Sequence, residues 1–289
     1  LTDVAHKNGV TVGTLMSIPF GNSVYLTSWR SDVYSRVLFR LTQKSGDKFL
    51  YAEPLVRMMK YYGINGIGFN SEFRTSSSVM TQLSEFFVAC HKEAEKLNWK
   101  FEVHWYDGTS DDGQIHFDGG LGYHNQKIFG DKDNIATDML FANYNWGPSH
   151  LRGSVSTAQR LGRSSFDYYA GFDIQGRGLR QASWSALLDN DISIGFWGAH
   201  KQSLIHQSAT DNGTSDIAIQ KTYLKKQELM FSGGYNNPGL LPAINTDCNL
   251  ANASLKSFHG LATFLTAKST IQQVPFVSRF NLGNGLSFR

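Results

Sequence analysis

Short apolar runs alternate with longer helical stretches from one end of this chain to the other, and no other feature limits its fold so tightly. The apolar runs are VTVGTLMSI (10–18), INGIGFN (64–70), KFEVHWY (100–106), TDMLFANY (137–144), DYYAGFDI (167–174), ISIGFWG (192–198) and QVPFVSRF (273–280). Between them lie stretches of helical periodicity: PLVRMMKYYG, VMTQLSEFFVACHKEAEKL, HLRGSVSTAQRLG and RQASWSALLDN. Nearly continuous apolar strands, each followed by a helix, predict a parallel sheet covered by helices.

Seven such units in 289 residues predict an α/β fold, a (β/α)8 TIM barrel whose first strand is absent from the sequence. The opening LTDVAHKNGV reads as a helix end entering a strand, so residues 1–289 are expected to be one catalytic barrel domain cut from a longer chain. A doubly wound open sheet is the alternative, but no glycine-rich phosphate loop follows an early strand. The segment 200–245 is rich in Gly, Asn and Ser and predicts a large loop around one helix, IAIQKTYLKKQELMF.

Bulk composition narrows the function. A net charge of +3 gives no footprint for nucleic acid, and no apolar run is long enough to span a membrane. The nine histidines are dispersed, and HExxH and CxxC are absent, so neither a metal nor a cofactor is expected. No GxSxG elbow supports a serine nucleophile. Cys90 falls on the apolar side of its helix and predicts a buried free thiol; pairing with Cys248 stays open. The compartment is equally open: secretion or the cell surface for a bacterial chain, or the cytoplasm. A monomer is expected.

In a β/α barrel the C-terminal strand ends form the active-site floor. Here those ends carry Asn70, Glu72 and Phe73; His104, Trp105, Tyr106 and Asp107; Asn143, Tyr144 and Trp146; Asp173 and Arg177; and Trp197. Plain structural roles exist for each: an ion pair for Glu72 or for Asp173 with Arg177, a hydrogen bond for His104, core packing for the rings. Their convergence at one end of one sheet favours a sugar-binding floor. Most glycosidases use two carboxylates, yet Glu72 stands beside the neutral Asn70, two residues away and so on the same side of a strand. An amide is no nucleophile, but it can turn a substrate's 2-acetamido oxygen onto the anomeric carbon. That pattern points to an N-acetylated sugar that supplies its own nucleophile.

The stretches VAHKNGVTVGT, GINGIGFNSEF, VHWYDG, FANYNW, YYAGFDIQGRG and VPFVSRFNLGNG, in that order, resemble the catalytic barrel of glycoside hydrolase family 85, the endo-β-N-acetylglucosaminidases. The resemblance implies hydrolysis of the N,N′-diacetylchitobiose core of N-linked glycans, with glycoproteins or glycopeptides as partners. It makes Glu72 the acid and then the base, Asn70 the group that orients the acetamide, and Tyr106 a holder of the acetamide oxygen. Trp105, Asn143, Trp146, Asp173, Arg177 and Trp197 would bind sugar. A chitinase-like hydrolase and an inactive glycan-binding barrel are the alternatives. Where the family carries a Trp-Gln-Asn stretch this chain has GQIHFDGGLGYHNQ, offering His116, Phe117 and Asn125 instead.

Overall fold

A computed structural model describes residues 2–7, 9–16, 31–173, 184–198, 215–232 and 260–264. The chain divides into two compact units, Leu1–Ala170 with Asn190–Ser193, and Gly171–Asp189 with Ile194–Arg289.

The first unit runs α1 (Thr2–Lys7), β1 (Gly13–Met16), α2 (Ser31–Leu41), the hairpin β2 (Lys44–Ser45) and β3 (Lys48–Phe49), then α3 (Ala52–Tyr61) and β4 (Gly66–Phe69). It continues with α4 (Ser77–Lys96), β5 (Glu102–Tyr106), α5 (Gln126–Phe129), β6 (Met139–Phe141), α6 (Pro148–Arg160) and the start of β7 (Tyr168–Asp173). The second unit holds the end of β7, α7 (Trp184–Leu188), most of β8 (Ser193–Trp197), α8 (Asp216–Ser232) and a 3-10 turn, Leu261–Phe264. Its core is aromatic: Phe172 stacks on Trp184 at 5.0 Å, and Trp184 meets Phe264 at 5.9 Å.

The expected parallel sheet is present, with strand order β1-β4-β5-β6-β7-β8. Gly68 pairs with His104 and His104 with Met139; Tyr106 pairs with Phe141 and Phe141 with Tyr169. In-register parallel partners share a face, which sorts the side chains into two sets. Ile67, Phe69, Val103, Trp105, Leu140, Ala142 and Tyr168 form the buried set. Glu102, His104, Tyr106, Met139 and Phe141 form the part-exposed set on the other face. Gly66 makes room on that face, since a Cβ there would come within 3.2 Å of the His104 ring.

Helix α4 covers the buried set. Ser76 caps it by accepting from the Val79 amide at 3.4 Å, and Met80, Leu83, Phe86, Phe87, Cys90 and Ala94 face inward at helical spacing. Cys90 is a buried free thiol, and burial pushes it well above its ordinary value. Cys248 lies outside the described residues. So does 273–280.

Among the described residues, each expected strand is shorter than its apolar run. The ladder in 137–144 is confined to Met139–Phe141, because Thr137 bonds back to Ile128 O and Asn143 accepts from the Tyr144 amide. The hairpin 44–49 and the helix Ser31–Leu41 are additions that the sequence pattern did not mark. None of the described helices is long and apolar enough to cross a membrane.

Candidate active site

Strand β4 stops at Phe69, so the period-two argument for Asn70 and Glu72 loses its ladder. The Glu72 amide instead donates to Asn70 O at 3.0 Å, a tight turn immediately after the strand. Burial nevertheless keeps alternating through that turn: Phe69, Ser71 and Phe73 are buried, while Asn70 and Glu72 are part exposed.

What replaces the ladder is the loop after β5. The Thr109 amide donates to Ser71 O at 2.6 Å, and the Phe73 amide donates to the Thr109 hydroxyl at 3.1 Å. That hydroxyl in turn lies 2.8 Å from Ser71 O and 2.5 Å from Phe73 O. The Ser71 hydroxyl donates to Tyr106 O. Both neighbours of Glu72 are thereby bound to one threonine. Gly108 permits the approach, because a Cβ there would sit 2.3 Å from Ser71 O.

Burial alone raises Glu72 above the ordinary carboxyl range, so it keeps its proton to higher pH. Tyr106, at the end of β5, donates from its hydroxyl to Asn143 Oδ1 at 3.2 Å. Burial, then Tyr144, then the Glu72 charge hold that phenol well above its usual value. The rings of Phe117, Phe141 and Tyr144 surround Tyr106, each centroid about 6.1 Å away. The structure therefore brings Tyr106 and Asn143 together, with Glu72 close enough for its charge to act on the phenol.

Trp105 is corrected. It is 0 % exposed, packed against Phe69, Phe73 and Phe87, with its indole N–H donating to Thr109 O at 3.1 Å. It belongs to the buried face that α4 covers, one residue out of phase with Tyr106, and offers no surface to a sugar. Trp146, at 4 % exposure, is also packed away. Asp173 ends β7 and Trp197 ends β8, both in the second unit, with Trp197 37 % exposed. Arg177 lies outside the described residues.

His104 takes the structural role open to it, lying 3.2 Å from Glu102 Oε2. That contact is the main reason Glu102 falls to about 2. Asn125 is corrected as a substitute sugar contact: its amide donates to Asp107 Oδ1 and Gly120 O, and its oxygen accepts from the Gly122 amide.

Asp107, which the sequence places among the strand-end groups without giving it a role, organises the site. It is buried and accepts from the amide of Gly119 at 2.6 Å, Asn125 Nδ2 at 3.0 Å and the amide of Asn143 at 3.4 Å. Burial pushes it up to about 7, against the pull of those donors. It pins the base of the loop 108–125 and the residue that meets Tyr106. The signal was in the run WYDGT, where an acid, a glycine and a threonine directly follow an aromatic strand end. The reading of the histidines as dispersed is corrected too: His116, Asp118 and His124 lie together, with donor atoms within 4.8 Å of one another.

Glu72 and Asn70 follow β4 and Tyr106 ends β5, at the C-terminal ends of neighbouring parallel strands of an α/β protein. One family model, Glycosyl hydrolase family 85, matches residues 1–288, and the chain belongs to that family of glycoside hydrolases. It is 28 % identical over 178 residues to a cytosolic endo-β-N-acetylglucosaminidase of Gallus gallus, covering 61 % of this chain and 22 % of that protein. The human cytosolic enzyme is 26 % identical over 181 residues, again covering 61 % of this chain and 21 % of the relative. The chain thus spans roughly a fifth of the length of the curated relatives it matches. The crystal structure of the glycoside hydrolase domain of Endo-D from Streptococcus pneumoniae R6 has the same fold, with a TM-score of 0.69 at 22 % identity over 90 % of this chain and 38 % of that one.

Proposed function

We infer that this chain is the catalytic part of an endo-β-N-acetylglucosaminidase. It hydrolyses the β-1,4 bond of the N,N′-diacetylchitobiose core of N-linked glycans, with retention, through the substrate's own acetamide. One observation carries this: the strand-end acid whose proton burial retains, Glu72, is flanked across the turn by an amide, Asn70, and not by a second acid. Support comes also from the activity named for the vertebrate relatives and from the span of the family model, which favours one (β/α)8 catalytic domain.

In the first step Glu72 gives its proton to the glycosidic oxygen as the C1–O bond breaks, and the acetamide oxygen bonds to C1. The result is an oxazolinium ion and a free leaving hydroxyl. Asn70 orients the acetamide, and the Tyr106 hydroxyl, which donates to Asn143 Oδ1 in the free protein, turns its proton to the acetamide oxygen and holds it toward C1. In the second step ionised Glu72 takes a proton from water, the water oxygen bonds to C1, and the C1–O bond of the ring opens to restore the acetamide. Two inversions at C1 give net retention.

The chitinase-like alternative shares this chemistry but would carry an acid where Asn70 stands. Mass spectrometry separates the two. A high-mannose glycopeptide should yield free glycan and peptide bearing a single N-acetylglucosamine, and chitin oligomers should not release chitobiose. Binding of the glycopeptide with no turnover would support the inactive glycan-binding barrel instead.

A further inference from the structure

The loop after β5 carries the stretch GQIHFDGGLGYHNQ, and that stretch brings a second set of chemical groups together. The His116 and His124 rings stack 4.2 Å apart with 17° between their planes. His124 Nδ1 lies 3.0 and 3.2 Å from the two Asp118 oxygens. His116 Nε2 lies 2.9 Å from Asp112 Oδ2. One donor from each of His116, Asp118 and His124 falls within 4.8 Å of the others. All four side chains are part exposed, so an ion has access.

We propose that His116, Asp118 and His124 bind one divalent cation of the zinc class. Two imidazoles and one carboxylate are a donor set for zinc and its neighbours, whereas calcium and magnesium take oxygen ligands. Around a tetrahedral zinc, donors stand about 3.4 Å apart, given metal–ligand bonds near 2.1 Å. The 3.0 and 3.2 Å between His124 Nδ1 and the two Asp118 oxygens are a little shorter than that spacing. With its proton on Nε2, His124 frees Nδ1 for the cation. His116, donating from Nε2 to Asp112, presents the Nδ1 lone pair, and Asp112 becomes the outer carboxylate that fixes the ring. The two aspartates offset the dication's charge.

The ion would act structurally. Asp107 pins the inner side of the loop at Gly119 and Asn125. A cation joining His116 and Asp118 to His124 would pin the outer side. Between two of the ligands stands Phe117, held at a φ of 52° with its ring over Tyr106. That left-handed conformation is unusual for a bulky residue and needs support on both sides.

The test titrates zinc chloride into the 289-residue chain after chelator treatment, by calorimetry and by thermal unfolding. One-to-one saturable binding with a rise in Tm is expected. His116→Ala and His124→Ala should each abolish the one-to-one isotherm and leave the zinc-free Tm unchanged, because both side chains are part exposed. Asp112→Asn should weaken binding about ten- to a hundredfold, as loss of an outer partner does. No saturable binding, binding that survives in the His116→Ala/His124→Ala double variant, or saturation by calcium in preference to zinc would each overturn the proposal.

Discussion

Glu72 carries two opposed consequences. Its folded value lies above its unfolded one, so the folded state holds its proton longer. The stability tied to this group is complete below the unfolded carboxyl value and is lost as pH rises through the raised one. Glu72→Gln should therefore raise the Tm at neutral pH and leave it unchanged in acid, while lowering hydrolysis about a hundred- to ten-thousandfold. Unfolding scans at both pH values, paired with a glycopeptide assay, check this; a lower neutral Tm would deny the burial cost. On the proposed mechanism the free enzyme needs one protonated acid and no ionised partner. Its kcat/KM should fall only on the alkaline side, where a two-carboxylate enzyme gives a bell. Initial rates across pH at low substrate distinguish the shapes. The positions of Glu72 and Tyr106 beside strand ends were legible because both residues stand at the ends of apolar runs. The burial of Trp105 was not: a strand's phase decides which face a ring takes, and the apolar run KFEVHWY hides that phase.

At the scale of elements, the turn that carries Glu72 depends on a loop from the neighbouring strand. The Thr109 hydroxyl and amide serve Ser71 and Phe73 on either side of Glu72. Thr109→Val should leave those buried groups short of a partner and cost about 1–3 kcal/mol. In urea unfolding the midpoint should drop with the slope unchanged, and kcat should fall with it; Thr109→Ser should restore both. An unchanged midpoint in the valine variant would mean that the strap contributes nothing. None of this could be read from INGIGFNSEF alone. Pattern shows where a strand runs, but here the ladder ends at Phe69 and side-chain bonds from 38 residues downstream take over. The same limit hid the histidine cluster, whose members come together where Asp107 holds Gly119 and Asn125 and the Asp111 amide donates to His124 O.

Across the whole molecule, the order of strands and helices was the most legible property, because apolar strands followed by amphipathic helices admit few arrangements. Parallel pairing from β1 to β7 and the family match agree with that order. Ends of elements, the hairpin 44–49 and the covering of the tryptophans depend on tertiary contacts, which local periodicity does not encode. The central claim is that the substrate supplies the nucleophile and Asn70 turns it. Asn70→Ala tests this most directly, by comparing its rate on a chitobiose-core glycopeptide with its rate on a preformed sugar oxazoline. The account predicts that glycopeptide cleavage is lost while some reaction with the oxazoline survives. Cleavage of the glycopeptide at the parent rate would contradict it.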